Sequence, residues 1–282
     1  MQGRLTKEQR LRRLVEDVLV GLGFDEGYTW SLAADDPDAD AIRLPDPMTS
    51  DQAVLRTTLL PGLVEAARVQ LDTGAESIAL FEVARVYLPS GAQLPDERWR
   101  VTGIAQGGFL RAKGAVETIA AAAHVELPFE RDPEPGPLFH PGKAARTPTG
   151  AVGELHPAIL DGEWGVFELD LETLAAATPE RVEYEDVITF PALMQDVAVA
   201  VPEDVEAGAL VSAVREAGGS ELRDVNVFDV YRGQQVGEGR KSVALRLAFQ
   251  SPERTLSDAD AAKLRERIVA ALAERFGAEL RA

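Results

Sequence analysis

The chain has 282 residues, enough for one large domain or two smaller ones, and 45% of them are hydrophobic, which is enough to build complete cores. It contains no cysteine, which excludes disulfides, thiolate nucleophiles and cysteine-ligated zinc, and no apolar run approaches the roughly 20 residues of a membrane helix. The net charge of −18 makes the chain a poor non-specific binder of nucleic acid, so RNA binding would require a local basic patch.

The first residues also lack a secretory signal, because Arg4, Lys7 and Arg10 interrupt them and no apolar segment follows. Together with the lack of cysteine, this predicts a cytoplasmic protein that does not contact a membrane. The charge is spread unevenly, since residues 193–282 hold 12 Lys/Arg and 15 Asp/Glu and the preceding residues carry most of the negative charge. A basic patch is therefore expected in the C-terminal part.

In chain order, the first 190 residues alternate helices and strands. A capping box, Thr6-Lys7-Glu8-Gln9, opens a helix that Gly23 closes. The hydrophobic patterns predict strands over residues 28–33, 78–88, 98–107, 143–147, 151–156 and 164–171. They predict further helices over residues 60–71 and 112–124, and a short one that ends at Ala177. Hairpin connections between the strands predict an antiparallel sheet flanked by helices, which is the α+β class.

The last ninety or so residues read as a separate β-α-β-β-α-β unit. Strands are predicted over 196–201, 222–231 and 242–249, with an edge strand at Leu280. One helix is predicted over 207–217, and a second is opened by Ser257 as N-cap and closed by Gly277. This element order is ferredoxin-like.

Histidine and acidic residues offer candidates for a catalytic or metal site. His140 and His156 each precede a proline and could ligate a metal or shuttle protons, but no third ligand has motif spacing and a structural hydrogen-bonding role is preferred. Glu168 and Asp170 share one face of a predicted strand and could hold Mg²⁺, which two carboxylates alone do not establish. The acidic loop 35–40 lacks the glycine and distal Glu of a calcium loop, so it is interpreted as a solvated turn. No catalytic or metal-binding residue is therefore predicted.

A glycine-rich segment before Lys241 and Ser242 superficially suggests a phosphate-binding loop. Arg240 stands where a Walker A sequence needs glycine, and a strand rather than a helix follows. The glycines between residues 233 and 239 are interpreted instead as a flexible hairpin tip that needs positive φ angles.

An aromatic residue and several cations lie around this hairpin. Tyr231 ends a strand beside Arg232, and Lys241 and Ser242 lie across the hairpin. An aromatic side chain on a strand can stack on an unpaired base, which is worth about 1–3 kcal/mol, and neighbouring cations can neutralise phosphates. The alternative is a core tyrosine surrounded by solvated charges.

Strict alternation along the strand bears on this choice. It places Phe228 and Val230 on one face, and Asp229 and Tyr231 on the other. Because two helices pack on one face of such a sheet, we expect Tyr231 on the open face, where a base could reach it.

Two sets of short motifs carry a family resemblance. The first set comprises residues 46–48 (DPM), 55–63 (LRTTLLPGL), 80–87 (LFEVARVY), 140–142 (HPG), 153–157 (GELHP) and 167–170 (FELD). The second comprises residues 190–192 (FPA), 195–199 (QDVAV), 228–233 (FDVYRG), 254–256 (RTL) and 274–276 (ERF). They resemble, respectively, the class II synthetase-like core and the ferredoxin-fold anticodon-binding domain of the β subunit of bacterial phenylalanyl-tRNA synthetases.

The resemblance implies an α+β chain in which residues 1–187 form a non-catalytic class II synthetase-like core, an antiparallel sheet with flanking helices, and residues 188–282 a ferredoxin-like βαββαβ domain. It implies a subunit of a ligase whose α subunit binds ATP and Mg²⁺ and joins phenylalanine to its tRNA, within an α2β2 heterotetramer. This chain would scaffold the α subunit, bind no cofactor of its own and contact no DNA. The family's N-terminal tRNA-binding and editing domains have no counterpart, so we expect a C-terminal fragment or a naturally reduced subunit.

The resemblance also maps the anticodon-contacting positions. They fall on Ala198, Tyr231, Ser242 and Arg281. Charge placement adds Arg232 and Lys241 as phosphate contacts. Two alternatives remain open, namely a stand-alone RNA-binding or interaction module derived from the same family, and a small-molecule enzyme that uses Glu168, Asp170 and His156.

Overall fold

A computed structural model describes residues 3–184 and 186–281 of the chain. These residues divide into two compact units between Val182 and Glu183, a few residues before the boundary predicted at residues 187 and 188. Within the described ranges, every helix is either too short or too polar to span a lipid bilayer.

The N-terminal unit is built on a mainly antiparallel sheet with helices on both faces. In chain order it contains α1 (Lys7–Gly21), β1 (Asp25–Glu26), β2 (Leu32–Ala33), β3 (Val54–Leu55), α2 (Leu60–Asp72), β4 (Ala79–Leu88), β5 (Asp96–Gln106), α3 (Gly108–Ala122), β6 (Glu130–Arg131), β7 (Phe139–Thr147), β8 (Gly150–Leu155), β9 (Trp164–Asp170) and α4 (Leu171–Ala177). The large sheet has the order β1-β4-β5-β9-β8-β7-β6, and only β1 and β4 pair in parallel. Strands β2 and β3 form a separate two-stranded sheet.

Local sequence signals account for several element ends in this unit. The capping box at the start of α1 is confirmed, because the Thr6 hydroxyl accepts from the Gln9 backbone N–H at 3.2 Å and the Gln9 side chain accepts from the Thr6 N–H at 2.9 Å. The strand predicted over 28–33 is wrong, because only Leu32 and Ala33 pair with another strand. Helix α3 begins at Gly108, earlier than the predicted start at residue 112.

Two hydrophobic clusters fill the two faces of the large sheet. On one face, Phe81, Val101 and Phe167 pack with side chains of α1, α3 and α4. On the other face, Ile104 and Val166 pack with side chains of α2. Helices therefore cover both faces, as expected for the predicted α+β class, which is confirmed.

The C-terminal unit has the predicted β-α-β-β-α-β order. It contains β10 (Leu193–Pro202), α5 (Ala207–Gly218), β11 (Leu222–Tyr231), β12 (Arg240–Phe249), α6 (Asp258–Phe276) and β13 (Glu279–Arg281). The sheet order is β11-β12-β10-β13 with antiparallel neighbours, which is the ferredoxin-like arrangement. Ser257 caps α6 and Gly277 ends it at a φ of 61°, as predicted.

Both helices pack on one face of this sheet. Val199, Val243 and Leu245 on the strands form one buried cluster with Leu210 of α5 and Ile268 of α6. Because side chains alternate along a strand, the residues between these valines and leucines belong to the opposite face. We call that opposite face the open face. Its members include Asp196, Ala198, Ala200, Tyr231, Ser242, Ala244, Arg246 and Arg281.

Candidate nucleic-acid interface

Strand pairing brings four of the predicted site residues onto the open face. Tyr231 is paired with Ser242 across β11 and β12, and Ala198 is paired with Arg281 across β10 and β13. Directly paired residues share a face of a sheet, and these two pairs lie in adjacent rows of the same face. Ala198, Tyr231, Ser242 and Arg281 therefore form one continuous surface.

The tyrosine is a surface residue rather than part of the core. The residue is 39% exposed, and the guanidinium carbon of Arg281 lies 5.5 Å from its ring centroid. Ser242 beside it is buried and forms the floor of this surface. The interpretation of a core tyrosine surrounded by solvated charges is therefore not supported.

A β-bulge is what places the ring on this face. Val225 and Val227 are paired with Leu247 and Leu245, whose side chains lie in the helix-side core. Strict alternation from Val227 would send Tyr231 to the same face. The register shifts between Val227 and Asp229. Beyond the shift, each side chain lies on the face opposite to the one that strict alternation predicts.

The same bulge corrects the predicted facing of Phe228. Alternation grouped Phe228 with Val230, but Val230 is paired with the core residue Val243. The ring of Phe228 instead lies beside Arg246 of the open face, with the guanidinium carbon 5.0 Å from the ring centroid. Phe228 is the extra residue of the bulge, so it does not follow the alternation of either half of the strand.

Gly233 leaves room for the tyrosine ring after the strand ends. Its φ of −177° is ordinary extended backbone, so positive φ does not explain this glycine. A Cβ at this position would lie 2.3 Å from the hydroxyl oxygen of Tyr231. Positive φ angles do occur at Gly237 and Gly239, as predicted for the hairpin tip. Val236 within the hairpin tip is buried, so this part of the loop packs against the rest of the unit.

The two cations predicted from charge placement lie in different surroundings. Lys241 is paired with Val201 on the helix-side face, is buried, and donates from Nζ to the carbonyl oxygen of Glu203 at 2.7 Å. The structure therefore does not bring Lys241 to the open face. Arg232 is exposed and donates from Nε to the Glu203 carboxylate at 2.9 Å. A phosphate contact by either residue stays a prediction.

An ion pair that the sequence analysis missed also lies on the open face. Arg246 donates from Nε and Nη2 to the two carboxylate oxygens of Asp196, both at 2.8 Å. The hydrogen bond from Arg246 lowers the pKa of Asp196. Asp196 and Arg246 are directly paired across β10 and β12, so the correct strand register would have predicted this ion pair.

A row of polar side chains also crosses the N-terminal sheet, but this row is largely shielded from solvent. Glu82, Thr102 and Glu168 stand side by side on β4, β5 and β9, and the first two have no exposed surface. Thr102 donates from its hydroxyl to the Glu168 carboxylate at 2.7 Å. Thr58, which lies in the segment that precedes α2, donates from its hydroxyl to the same carboxylate at 2.6 Å.

The three consecutive residues 56–58, in the segment before α2, each donate hydrogen bonds to a different carboxylate. Arg56 donates from Nη1 to Glu82 at 3.0 Å. Thr57 donates from its backbone N–H and its hydroxyl to Asp36, at 2.8 and 2.5 Å. With Thr58 bound to Glu168, each polar side chain of the segment has a carboxylate partner. The acidic loop that contains Asp36 is therefore not simply a solvated turn.

The residues considered for metal binding or acid–base chemistry have structural partners instead. The Asp170 carboxylate accepts from the Thr173 backbone N–H at 2.7 Å and caps α4. His140 and His156 each accept on Nδ1 from a backbone N–H two residues later, at 3.0 and 3.2 Å, which confirms the predicted hydrogen-bonding role. Within residues 3–184 and 186–281, no group of three His, Asp or Glu side chains is placed to hold a metal ion.

Sequence comparisons agree with this division of the chain. The profile of the phenylalanyl tRNA synthetase beta chain CLM domain matches residues 1–171, and that of the ferredoxin-fold anticodon binding domain matches residues 189–281. The phenylalanine–tRNA ligase beta subunit of Geobacillus kaustophilus is 37% identical over 310 residues, which cover 99% of this chain and 39% of that protein. The corresponding subunit of Symbiobacterium thermophilum is 38% identical over 278 residues, covering 89% and 31%.

A solved pyrrolysyl tRNA synthetase from Desulfitobacterium hafniense superposes with a TM-score of 0.47 and 18% identity over 62% of this chain and 71% of that chain, a similarity too low to add to the assignment. The chain spans about two-fifths of the length of the G. kaustophilus relative. Because one profile covers more than half of the chain and a second covers most of the rest, the chain belongs to the phenylalanyl-tRNA synthetase β chain family.

Proposed function

We propose that this chain is the C-terminal part of a phenylalanine–tRNA ligase β subunit and that its open face binds the anticodon region of phenylalanine tRNA. The observation that carries the proposal is the position of Tyr231, a residue that is 39% exposed on the open face of a sheet that matches the anticodon-binding domain. An exposed aromatic ring on a sheet is a common platform for an unpaired base.

The residues of the open face would share the binding as follows. Tyr231 stacks on a base, a contact worth about 1–3 kcal/mol. Arg281 lies beside the ring and attracts the phosphates. Ser242 and Ala198 form a floor of small side chains that lets a base approach, and the Ser242 hydroxyl can donate to or accept from a base edge. Arg232 at the end of the strand is a further phosphate contact, and we retain Lys241 only as a weaker one because its ammonium already has a partner.

The N-terminal unit would serve as a docking platform for the α subunit. In this proposal the α subunit holds ATP and Mg²⁺ and carries out aminoacylation within an α2β2 heterotetramer in the cytoplasm. Tyr28 and Trp30 are 92% and 80% exposed, and with Val69 they line a groove of about 310 Å³. Clustered large apolar side chains at a surface are typical of interaction sites.

Binding of the labelled anticodon stem-loop of phenylalanine tRNA to the full chain, followed by fluorescence anisotropy, tests the RNA proposal. Tyr231→Ala is expected to weaken binding roughly 5- to 150-fold, the equivalent of one lost base stack. Tyr28→Ala, which removes an equally aromatic and more exposed side chain from the N-terminal unit, is the matched control and should bind normally. Equal affinities of wild type and Tyr231→Ala would refute the stacking role.

Co-expression with the α subunit of the same genome tests the scaffold proposal. Tyr28→Ala combined with Trp30→Ala should reduce recovery of the α subunit with the chain, whereas Tyr231→Ala should not. A wild-type chain that remains monomeric and ignores the α subunit would favour the stand-alone RNA-binding or interaction module instead.

A further inference from the structure

A second aromatic side chain reaches the open face through the β-bulge in β11. Phe228 is the residue that the bulge inserts between Val227 and Asp229, and the residue is 52% exposed. In the core-facing part of the strand, a phenylalanine would bury its ring against the helices. Here about half of the residue stays in solvent, so burial accounts for only part of the choice of an aromatic residue at this position.

The guanidinium beside this ring is held in a fixed orientation. Arg246 lies with its guanidinium carbon 5.0 Å from the Phe228 ring centroid. The bidentate bonds to Asp196, both at 2.8 Å, restrict rotation of the guanidinium plane. They occupy Nε and Nη2 and leave the N–H groups of Nη1 available in this pair. The result is an exposed ring with an ordered cation next to it and a carboxylate that can accept from a base amino group.

We infer that Phe228, Arg246 and Asp196 form a second base-binding position on the open face, which takes an unpaired nucleotide of the same RNA that contacts Tyr231. The inference rests on the proposed function, since it needs RNA on this face. Bases stack on aromatic rings and on guanidinium planes, and Phe228 with Arg246 offers both side by side.

The spacing separates the two positions. Phe228 and Tyr231 are three residues apart on an extended strand, a distance of roughly 10 Å. One base stacked on Tyr231 therefore does not also stack on Phe228. Ala198 and Ala244 are paired with each other in the row between Arg246 and Ser242, and the same row carries Asp229 and Arg281 at its two ends. The two alanines leave the centre of this row free of large side chains.

A purely structural role for the trio makes a different prediction. An exposed ion pair across two strands would support the register of β10 and β12 and is worth about 0–1 kcal/mol. Removing Phe228 would then leave RNA affinity unchanged. RNA binding and unfolding measured on the same variants therefore separate the two roles.

The experiment uses the full chain and two sets of RNA probes. The first is the labelled anticodon stem-loop of phenylalanine tRNA, and the second is the same RNA with an abasic site at each loop position in turn. Phe228→Ala is expected to weaken binding of the intact probe roughly 5- to 150-fold, as for one lost stack, while Phe228→Tyr keeps wild-type affinity. Val230→Ala, in the same strand but on the opposite face, is the matched control and should bind normally. If Phe228→Ala fails to fold, Phe228→Leu retains apolar bulk without a ring and carries the same expectation.

The abasic probes identify the base involved. The effect of Phe228→Ala should vanish on one abasic probe, and the effect of Tyr231→Ala should vanish on a different one. A loss with Tyr231→Ala but none with Phe228→Ala overturns this inference and leaves the proposed function standing. Variants that lose their effects on the same probe also overturn it, because one base would then contact both rings. No effect from either variant overturns both the inference and the proposed function.

Discussion

The two sheets of this chain treat their polar faces in opposite ways. In the N-terminal sheet, Glu82 and Thr102 are fully buried, and the segment from Arg56 to Thr58 supplies partners for the carboxylates. In the C-terminal sheet, Tyr231 and Phe228 remain exposed beside cations. The polar face of the N-terminal sheet is filled by side chains of the chain itself, whereas the C-terminal sheet keeps aromatic side chains exposed to solvent.

The largest effect is expected from the buried ion pair between Arg56 and Glu82 on the polar face of the N-terminal sheet. The side chains of Arg56 and Glu82 are only 7% and 1% exposed. Arg56→Met would leave the Glu82 carboxylate buried without a cation, so we expect the free energy of unfolding to fall by about 3–5 kcal/mol. Urea unfolding followed by circular dichroism measures it.

The control for this prediction is the double variant Arg56→Met with Glu82→Gln, which removes the uncompensated charge and should recover part of the loss. At temperatures where Arg56→Met is still folded, RNA affinity should be unchanged. A loss below about 1 kcal/mol, as for an exposed pair, would show that this polar face is not shielded from solvent as described.

Adding one methyl group at Gly233, beside Tyr231, tests how strongly RNA binding depends on the orientation of the Tyr231 ring. A Cβ at residue 233 would meet the Tyr231 hydroxyl, so Gly233→Ala should displace the ring without removing it. We expect a few-fold loss of stem-loop affinity, smaller than the loss from Tyr231→Ala, with little change in unfolding. Anisotropy titrations and thermal melts give both quantities.

Gly208→Ala is the matched control for Gly233→Ala, because a Cβ at residue 208 would meet no atom within 4 Å. That variant should change neither RNA affinity nor the fold. Wild-type affinity of Gly233→Ala would mean that the orientation of the Tyr231 ring does not matter for binding.

The smallest expected effect concerns the helix behind the open face. Hydrogen bonds from Arg254 and from the backbone and hydroxyl of Ser257 hold the pKa of Asp260 far below its usual range. A carboxyl whose pKa is lowered on folding stabilises the fold above its unfolded pKa of about 3.9 and loses that contribution as the pH falls further. Asp260→Asn should therefore be less stable than wild type at pH about 7, and the difference should shrink below pH about 4.

Urea unfolding at both pH values measures this, and Asp258→Asn in the same first turn is the control. Stability differences that are independent of pH would show that Asp260 acts through packing rather than through its charge.

Local signals in the sequence predicted much of the fold. The capping box at Thr6, the N-cap at Ser257 and the helix end at Gly277 depend only on neighbours within a few residues, and all three occur. The strand predicted at 28–33 was wrong because only Leu32 and Ala33 find partners, which lie more than 20 residues away in β3. No local pattern reveals such a distant partner.

The site was only partly accessible from sequence because its geometry depends on distant partners. Arg56, Thr57 and Thr58 find their carboxylates 26, 21 and 110 residues away, so spacing could not show that the polar face of the N-terminal sheet is shielded from solvent. The facing of Phe228 depends on a bulge, which alternation alone mispredicts because one residue is inserted. Lys241 lies on the helix-side face two residues before the core residue Val243, as alternation requires, and its predicted role came from charge placement alone.

Ultraviolet cross-linking of the full chain to a thiouridine-substituted anticodon stem-loop, with the attached peptides identified by mass spectrometry, distinguishes the open face from the polar face of the N-terminal sheet. We predict cross-links within residues 222–249 and at the C-terminal strand, and their loss at Tyr231 or Phe228 when that residue is changed to alanine. Cross-links concentrated in residues 54–60 or 79–106, with none in the C-terminal sheet, would contradict the assignment of the open face as the RNA-binding surface.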